Sequence, residues 1–162
     1  MQKYKLNSDN YFDFSTKEFL MITSKTSAPN NLDDIIVDIN LNIQDTTRIN
    51  QIHSNKIIYT NKPGHFGKAD GLISNIKYNN ILSLITADCI PMFIYDNISG
   101  FYGLIHAGWR GLVENIHKNS INQLMKLGSK TENISIFLGP FIKSCCYEIK
   151  NDITKNFKKD HL

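Results

Sequence analysis

Two apolar runs joined by turn-forming residues constrain this chain more than anything else in it. Ile90 to Tyr95 is the first run, with Pro91 near its start, and Phe101 to His106 is the second. Asp96-Asn97-Ile98-Ser99-Gly100 stands between them. Asn, Asp, Ser and Gly reverse a chain readily, because they satisfy local amides or tolerate left-handed backbone. The segment therefore predicts an antiparallel hairpin. If Tyr95 faces Gly100 across the turn, Cys89 faces His106. Directly opposed residues have Cβ atoms roughly 4.5–5.5 Å apart. A slip of one residue would send the two to opposite faces. The pair reads as half of a metal site, as a nucleophile with its base, or as a small buried hydrophobe beside a hydrogen-bonded histidine.

The rest of the chain supplies partners for that hairpin. Lys17 to Ser24, Asp34 to Asn40, Lys56 to Thr60, Gly71 to Ile76, Ile81 to Thr86 and Asn133 to Leu138 read as strands. Asn61 to Asp70, with Pro63, Gly64 and Gly67, reads as a loop. After Gly111 the period changes: Leu112, Val113, Ile116, Ser120, Ile121, Leu124 and Leu127 recur at helical spacing, with Gly128 placed as a C-terminal cap. Cys145 to Ile149 reads as a short strand, and a helix starts at Asp152 and runs to Lys159. Mixed strands around one strong helix predict a layered α+β fold in a single domain, 1–162.

Composition excludes several classes. With 162 residues the chain can bury a core, and a net charge of +3 carried by scattered lysines offers no nucleic-acid footprint. No apolar run approaches the ~20 residues of a membrane helix. The polar start, Met1 to Tyr11, lacks the pattern of a signal peptide. Three cysteines, two of them adjacent (Cys145 and Cys146), argue against a disulfide framework. The expected location is the cytoplasm.

His53, within Asn50-Gln51-Ile52-His53-Ser54, reads alone as a satisfied histidine. Taken with Cys89 and His106 it would complete a set of two imidazoles and one thiolate. Catalytic zinc uses three such ligands and leaves the fourth position to water.

Five segments together resemble one family. They are NQIHS (Asn50 to Ser54), ADGLIS (Ala69 to Ser74), TADCIP (Thr86 to Pro91), IHAGWRG (Ile105 to Gly111) and LGPFIKSCCYEI (Leu138 to Ile149). Their content and order resemble the laccase-domain family, also called the multicopper polyphenol oxidase or purine nucleoside phosphorylase family, from about Arg48 to Ile149. The resemblance implies a layered α/β sandwich with mixed sheets and zinc bound by His53, Cys89 and His106. It implies enzymes of purine nucleosides: phosphorolysis of adenosine, guanosine, inosine or methylthioadenosine, and adenosine deamination. Nucleosides and phosphate would be the partners, with no nucleic acid and no membrane.

Within that frame Asp88 is the expected catalytic carboxylate, with Asp70 and Glu148 behind it, and Arg110 the expected phosphate donor. Asp88 reads equally as an acceptor for loop amides, and Arg110 as a salt-bridge partner at the helix start. Trp109 reads as core or as a purine stacker, and Gly108 and Gly111 as the residues that permit a tight turn. Cys145 and Cys146 fall near the family's substrate pocket. His65 and His117 show no partner, and His117 is expected on the exposed side of the helix. The chain departs from the pattern in carrying Ser54 where a glycine usually follows the first histidine. It also ends at Leu162, where family members continue, so a short or C-terminally truncated member is expected. Other readings are a cysteine hydrolase using Cys89 and His106, an inactive remnant, and a copper-dependent polyphenol oxidase.

Overall fold

The turn-rich, apolar pattern resolves into short strands. A computed structural model describes residues 6–7, 11–13, 22–24, 41–149 and 151–157. Its strands are β1 (Leu6–Asn7), β2 (Tyr11–Asp13), β3 (Ile22–Ser24), β4 (Thr46–Asn50), β5 (Ile57–Tyr59), β6 (Gly64–Lys68), β7 (Gly71–Asn75), β8 (Ile81–Leu82), β9 (Ile90–Asp96), β10 (Phe101–Ala107) and β11 (Ile134–Leu138). The helices are α1 (Trp109–Val113), α2 (Ile116–Lys126) and α3 (Asn151–Thr154). The central sheet has the order β11-β9-β10-β7-β5. Its strands are antiparallel except β5, which runs parallel to β7. A second sheet, β6-β4-β8, is parallel throughout, and β1-β2-β3 form a small antiparallel one.

This arrangement corrects the expected layered α/β sandwich of the laccase-domain type. The described residues form an α+β fold of open sheets with mixed strand directions. The expected loop at 61–70 is largely a strand: β6 pairs with β4, which the sequence did not announce, and Gly64 and Gly67 take φ of 142° and 40° within it. Only Ile81 and Leu82 of the expected strand at 81–86 pair. Cys145 to Ile149 is not a strand, because the amides of Cys146 and Tyr147 both donate to the Lys143 carbonyl and curl the backbone. The strand expected at 34–40 lies outside the described residues, as do 17–21 and 158–159 of other expected elements.

The hairpin forms, with its register shifted by two. Tyr102 faces Tyr95 and His106 faces Pro91. The cause is Asp96, which is a fully buried strand residue rather than part of the turn. Its carboxylate accepts from the Ile98 amide (2.8 Å), the Ser99 amide (3.1 Å) and the Ser99 hydroxyl (2.6 Å), and Gly100 closes the loop at φ +73°. A shift of two preserves the face, since side chains alternate with period two.

The expected single helix is broken in two. Asn115 adopts left-handed backbone (φ 62°) between α1 and α2. Ile116, Ser120 and Leu124, four residues apart, are buried against a core of Ile73, Met92, Ile94, Ile105 and Ala107. The Ser120 hydroxyl donates to the His117 carbonyl at 2.7 Å, so its burial leaves no polar atom stranded. Complete burial of Ile116 and Leu124 contributes about 1.5–3 kcal/mol each. Gly128 ends α2 at φ +108°, with its amide donating to Met125 and the Ser129 amide to Leu124 (3.0 Å each).

Asp96 makes the hairpin pH-sensitive. Burial raises its pKa, but the Ser99 and Ser129 hydroxyls and the Ser99 and Ile98 amides outweigh that and hold it below the usual carboxylate value. A depressed folded pKa stabilises the native state above the unfolded pKa, and the benefit is lost as pH falls through the folded value. Asp96→Asn is expected to cost about 1–3 kcal/mol at neutral pH. Urea unfolding at a series of pH values should show the gap between variant and parent closing below about pH 4. A gap that stays constant to low pH would contradict the charge-based account.

Candidate metal centre

Three segments meet at the end of the central sheet. Residues 51–54 precede β5, residues 85–89 lead into β9, and residues 106–110 join β10 to α1. The Gln51 side chain ties the first two: its Nε2 donates to the Ile85 carbonyl (2.7 Å) and its Oε1 accepts from the Ile85 amide (2.9 Å). Asn55 ties the first to the helix break, donating to the Glu114 carbonyl at 3.0 Å.

At this junction the ligand atoms of His53, Cys89 and His106 all lie within 4.8 Å of one another. Among the described residues this is the one group of three or more His, Cys, Asp or Glu side chains disposed to hold a metal ion. His106 is buried, Cys89 half-buried and His53 exposed, so the cluster opens to solvent on the His53 side. The two imidazoles meet edge to face, with centroids 4.7 Å apart. Cys89 is a diagonal rather than a direct neighbour of His106, because of the shifted register.

Asp70 organises the cluster from behind. The β10–β7 pairing sets Ile105 opposite Gly71, so the next pair in register is His106 and Asp70, and the His106 amide donates to the Asp70 carbonyl at 2.7 Å. The fully buried Asp70 carboxylate lies 2.9 Å from His106 Nδ1. It also accepts from the amides of Ile52 (3.2 Å), His53 (2.9 Å) and Ser54 (2.6 Å), and from the Ser54 hydroxyl (2.8 Å). Burial raises its pKa, but the hydrogen bonds from His106, Ser54 and His53 outweigh that and hold it below the usual carboxylate value. An ionised carboxylate only accepts, so Nδ1 of His106 carries the proton and Nε2 keeps its lone pair for a metal. The same carboxylate holds His53 in left-handed backbone at φ 59°, a conformation that costs a non-glycine residue of order 1–3 kcal/mol.

Asp70 thus takes the acceptor role weighed for Asp88, and the signal for it was the Ala69-Asp70-Gly71 segment. Asp88 is exposed, and its charge, with burial first and Asp70 last, pushes the Cys89 thiol up. The exposed Arg110 guanidinium lies over the half-buried Trp109 ring at 4.3 Å, and no salt bridge to it is formed among the described residues. Glu148 is exposed in the loop after β11. His65 has a partner after all, Asn50 Oδ1 at 3.1 Å, and His117 is half-buried.

The glycines of the 106–111 segment serve space rather than turning. Gly108 has ordinary extended backbone (φ −75°, ψ 163°). A Cβ there would sit 3.0 Å from both Cys89 Sγ and His53 Cδ2. One at Gly111 would meet the Ser54 carbonyl oxygen at 2.8 Å. Gly108→Ala is therefore expected to leave backbone stability unharmed while displacing two candidate ligands, lowering any metal affinity about tenfold. Chelator competition beside thermal unfolding checks both halves.

Residues 24–162 match the sequence model of a family described as multi-copper polyphenol oxidoreductase laccase. A purine nucleoside phosphorylase of Deinococcus radiodurans is 33% identical over 114 residues, covering 70% of this chain and 44% of that protein. An adenosine deaminase, RL5, from an unknown prokaryotic organism is 32% identical over 93 residues, covering 57% and 35%. The chain spans about half the length of the curated relatives it matches. The crystal structure of the hypothetical protein YfiH from Bacillus licheniformis superposes with a TM-score of 0.71 at 25% identity, covering 78% of this chain and 51% of that one. That likeness, with the sheet order, is what replaces the expected sandwich by an open-sheet α+β fold.

Proposed function

This chain belongs to the family described as multi-copper polyphenol oxidoreductase laccase, and from that premise we propose that it is a zinc-dependent enzyme of purine nucleosides. The observation that carries the proposal is the convergence of His53, Cys89 and His106, with Asp70 fixing the proton on His106. Two imidazoles and one thiolate, with ligand atoms within 4.8 Å of one another, suit zinc, which takes such donors at about 2.0–2.3 Å. A carboxylate behind a ligating histidine is the usual supporting partner in such sites. When bound, zinc supplies Lewis acidity and a water acidic enough to attack at neutral pH. The relatives named purine nucleoside phosphorylase and adenosine deaminase supply the substrate class.

The chain's own residues take the remaining roles. His106 is held in one tautomer, so its Nε2 stays available as a donor. Asp88, exposed beside Cys89, accepts or returns the proton in deamination at adenine C6. Arg110 presents planar donors to phosphate, with Trp109 supporting the guanidinium from one side. Copper also accepts this donor set, but one group of three ligands does not make a multicopper cluster. Metal analysis of the purified protein, then incubation with adenosine or inosine and phosphate, tests the proposal. Stoichiometric zinc with release of adenine, hypoxanthine or inosine is expected. Metal-free active protein, or a zinc protein inert towards purine nucleosides, overturns it.

A second reading has one observation in its favour. Cys89, His106 and Asp70 are also disposed as nucleophile, base and orienting carboxylate. Burial and the charges of Asp88 and Asp70 raise the Cys89 thiol, the opposite of what a nucleophile needs. Inactivation by alkylation without inactivation by chelator would favour this reading over zinc.

A further inference from the structure

Cys145 and Cys146 have no part in the proposed chemistry, yet their sulfurs lie 3.3 Å apart and both side chains are exposed. The turn that gathers them is built on the Lys143 carbonyl, which accepts from the Cys146 amide (2.9 Å) and the Tyr147 amide (3.0 Å). The same loop grips the Cys89 segment at two points. The Gly139 amide donates to the Pro91 carbonyl at 2.9 Å and the Ile142 amide to the Asp88 carbonyl at 3.2 Å. Cys89 lies between those two points.

We propose that Cys145 and Cys146 form a thiol–disulfide exchange site for low-molecular-weight disulfides, and that closing their bond loosens the loop's grip on the Cys89 segment. One thiolate of the pair attacks a sulfur of the disulfide RSSR and releases RS⁻, leaving a mixed disulfide. The second thiolate attacks the protein sulfur of that bond and expels the other RS⁻. Two thiols are oxidised to one disulfide, RSSR is reduced to two RSH, and the two protons go to the released thiolates. Neighbouring Cα atoms are 3.80 Å apart, short of the 4.4–6.8 Å usual across a disulfide. The bond closes only if the turn at 143–147 distorts, and that distortion pulls on Ile142. Strained, exposed disulfides are the readily reduced ones, fitted to reversible rather than structural use.

The exchange site stands on its own; its consequence for metal binding rests on the proposed role of Cys89. The full chain is treated with glutathione disulfide and followed by intact mass and peptide mapping. The expected product has lost two hydrogens, carries no glutathionyl group, maps its bond to Cys145–Cys146, keeps Cys89 alkylatable and reverts with dithiothreitol. In Cys146→Ser the glutathionyl adduct at Cys145 is expected to persist. A stable adduct on the parent pair, or a bond from Cys89 to either cysteine, overturns the proposal. Amide exchange at Ile142, read by NMR, is expected to quicken about tenfold on oxidation and not in the Cys145→Ser, Cys146→Ser double variant. Unchanged exchange in the oxidised parent overturns the coupling. Where zinc binds, oxidation is expected to weaken it about tenfold. A protein that forms the disulfide but binds no metal would sink the zinc proposal and leave the exchange site standing.

Discussion

Replacing Asp70 by alanine is expected to destabilise the fold by about 3–5 kcal/mol, because it leaves several buried donors without their acceptor. The carboxylate is fully buried and serves the amides of Ile52, His53 and Ser54, the Ser54 hydroxyl and His106 Nδ1. Each donor left without an acceptor costs about 1–3 kcal/mol where water cannot reach it. The loss is a large share of the 5–15 kcal/mol that typically holds a domain together. Asp70→Asn keeps the volume but turns amide hydrogens towards groups that are themselves donors. It is therefore expected to fall between parent and alanine variant in stability. In both, His53 is free to leave its left-handed conformation and His106 can exchange tautomers, so metal affinity should fall about 10–100-fold. Denaturant unfolding and chelator competition measure the two effects separately. An Asp70→Ala protein of parental stability would refute the reading of Asp70 as the organising acceptor.

Cys89→Ala should show the reverse balance. The thiol is half-buried, and its removal is expected to cost the metal-free protein only about 1 kcal/mol. Metal affinity is expected to fall by more than the roughly 10–100-fold of a supporting residue, because one of the three proposed ligands is gone. Under the proposed function, activity towards purine nucleosides should vanish with it and not return on adding thiol reagents. Binding that survives Cys89→Ala undiminished would remove the thiolate from the ligand set. It would leave two histidines, too few for a catalytic zinc site.

Much of the site was legible because it depends on local rules. The hairpin was readable from turn chemistry between two apolar runs, and side-chain alternation alone made Cys89 and His106 share a face. The register was off by two because composition assigned Asp96 to the turn, whereas its buried carboxylate caps the loop from within the strand. The helix was readable from Ile116, Ser120 and Leu124, but not its break, because Asn115 is drawn into left-handed backbone where residues 51–55 dock. Cys145 to Ile149 looked like a strand by composition and is a turn, since no neighbouring strand pairs with it.

By itself, then, the sequence determined the residue types that meet at the centre, the face they share on the hairpin and the family to which they belong. Only the tertiary structure decided that β7 lies on the far side of β10, and so that Asp70 stands behind His106. It likewise decided that Gly108 is needed for the space its missing side chain leaves to Cys89 and His53. The reason is range. A turn of a few residues fixes its own two strands, but pairing across some thirty residues is chosen by the order of the whole sheet. What touches a given Cα is chosen by segments the local pattern does not contain.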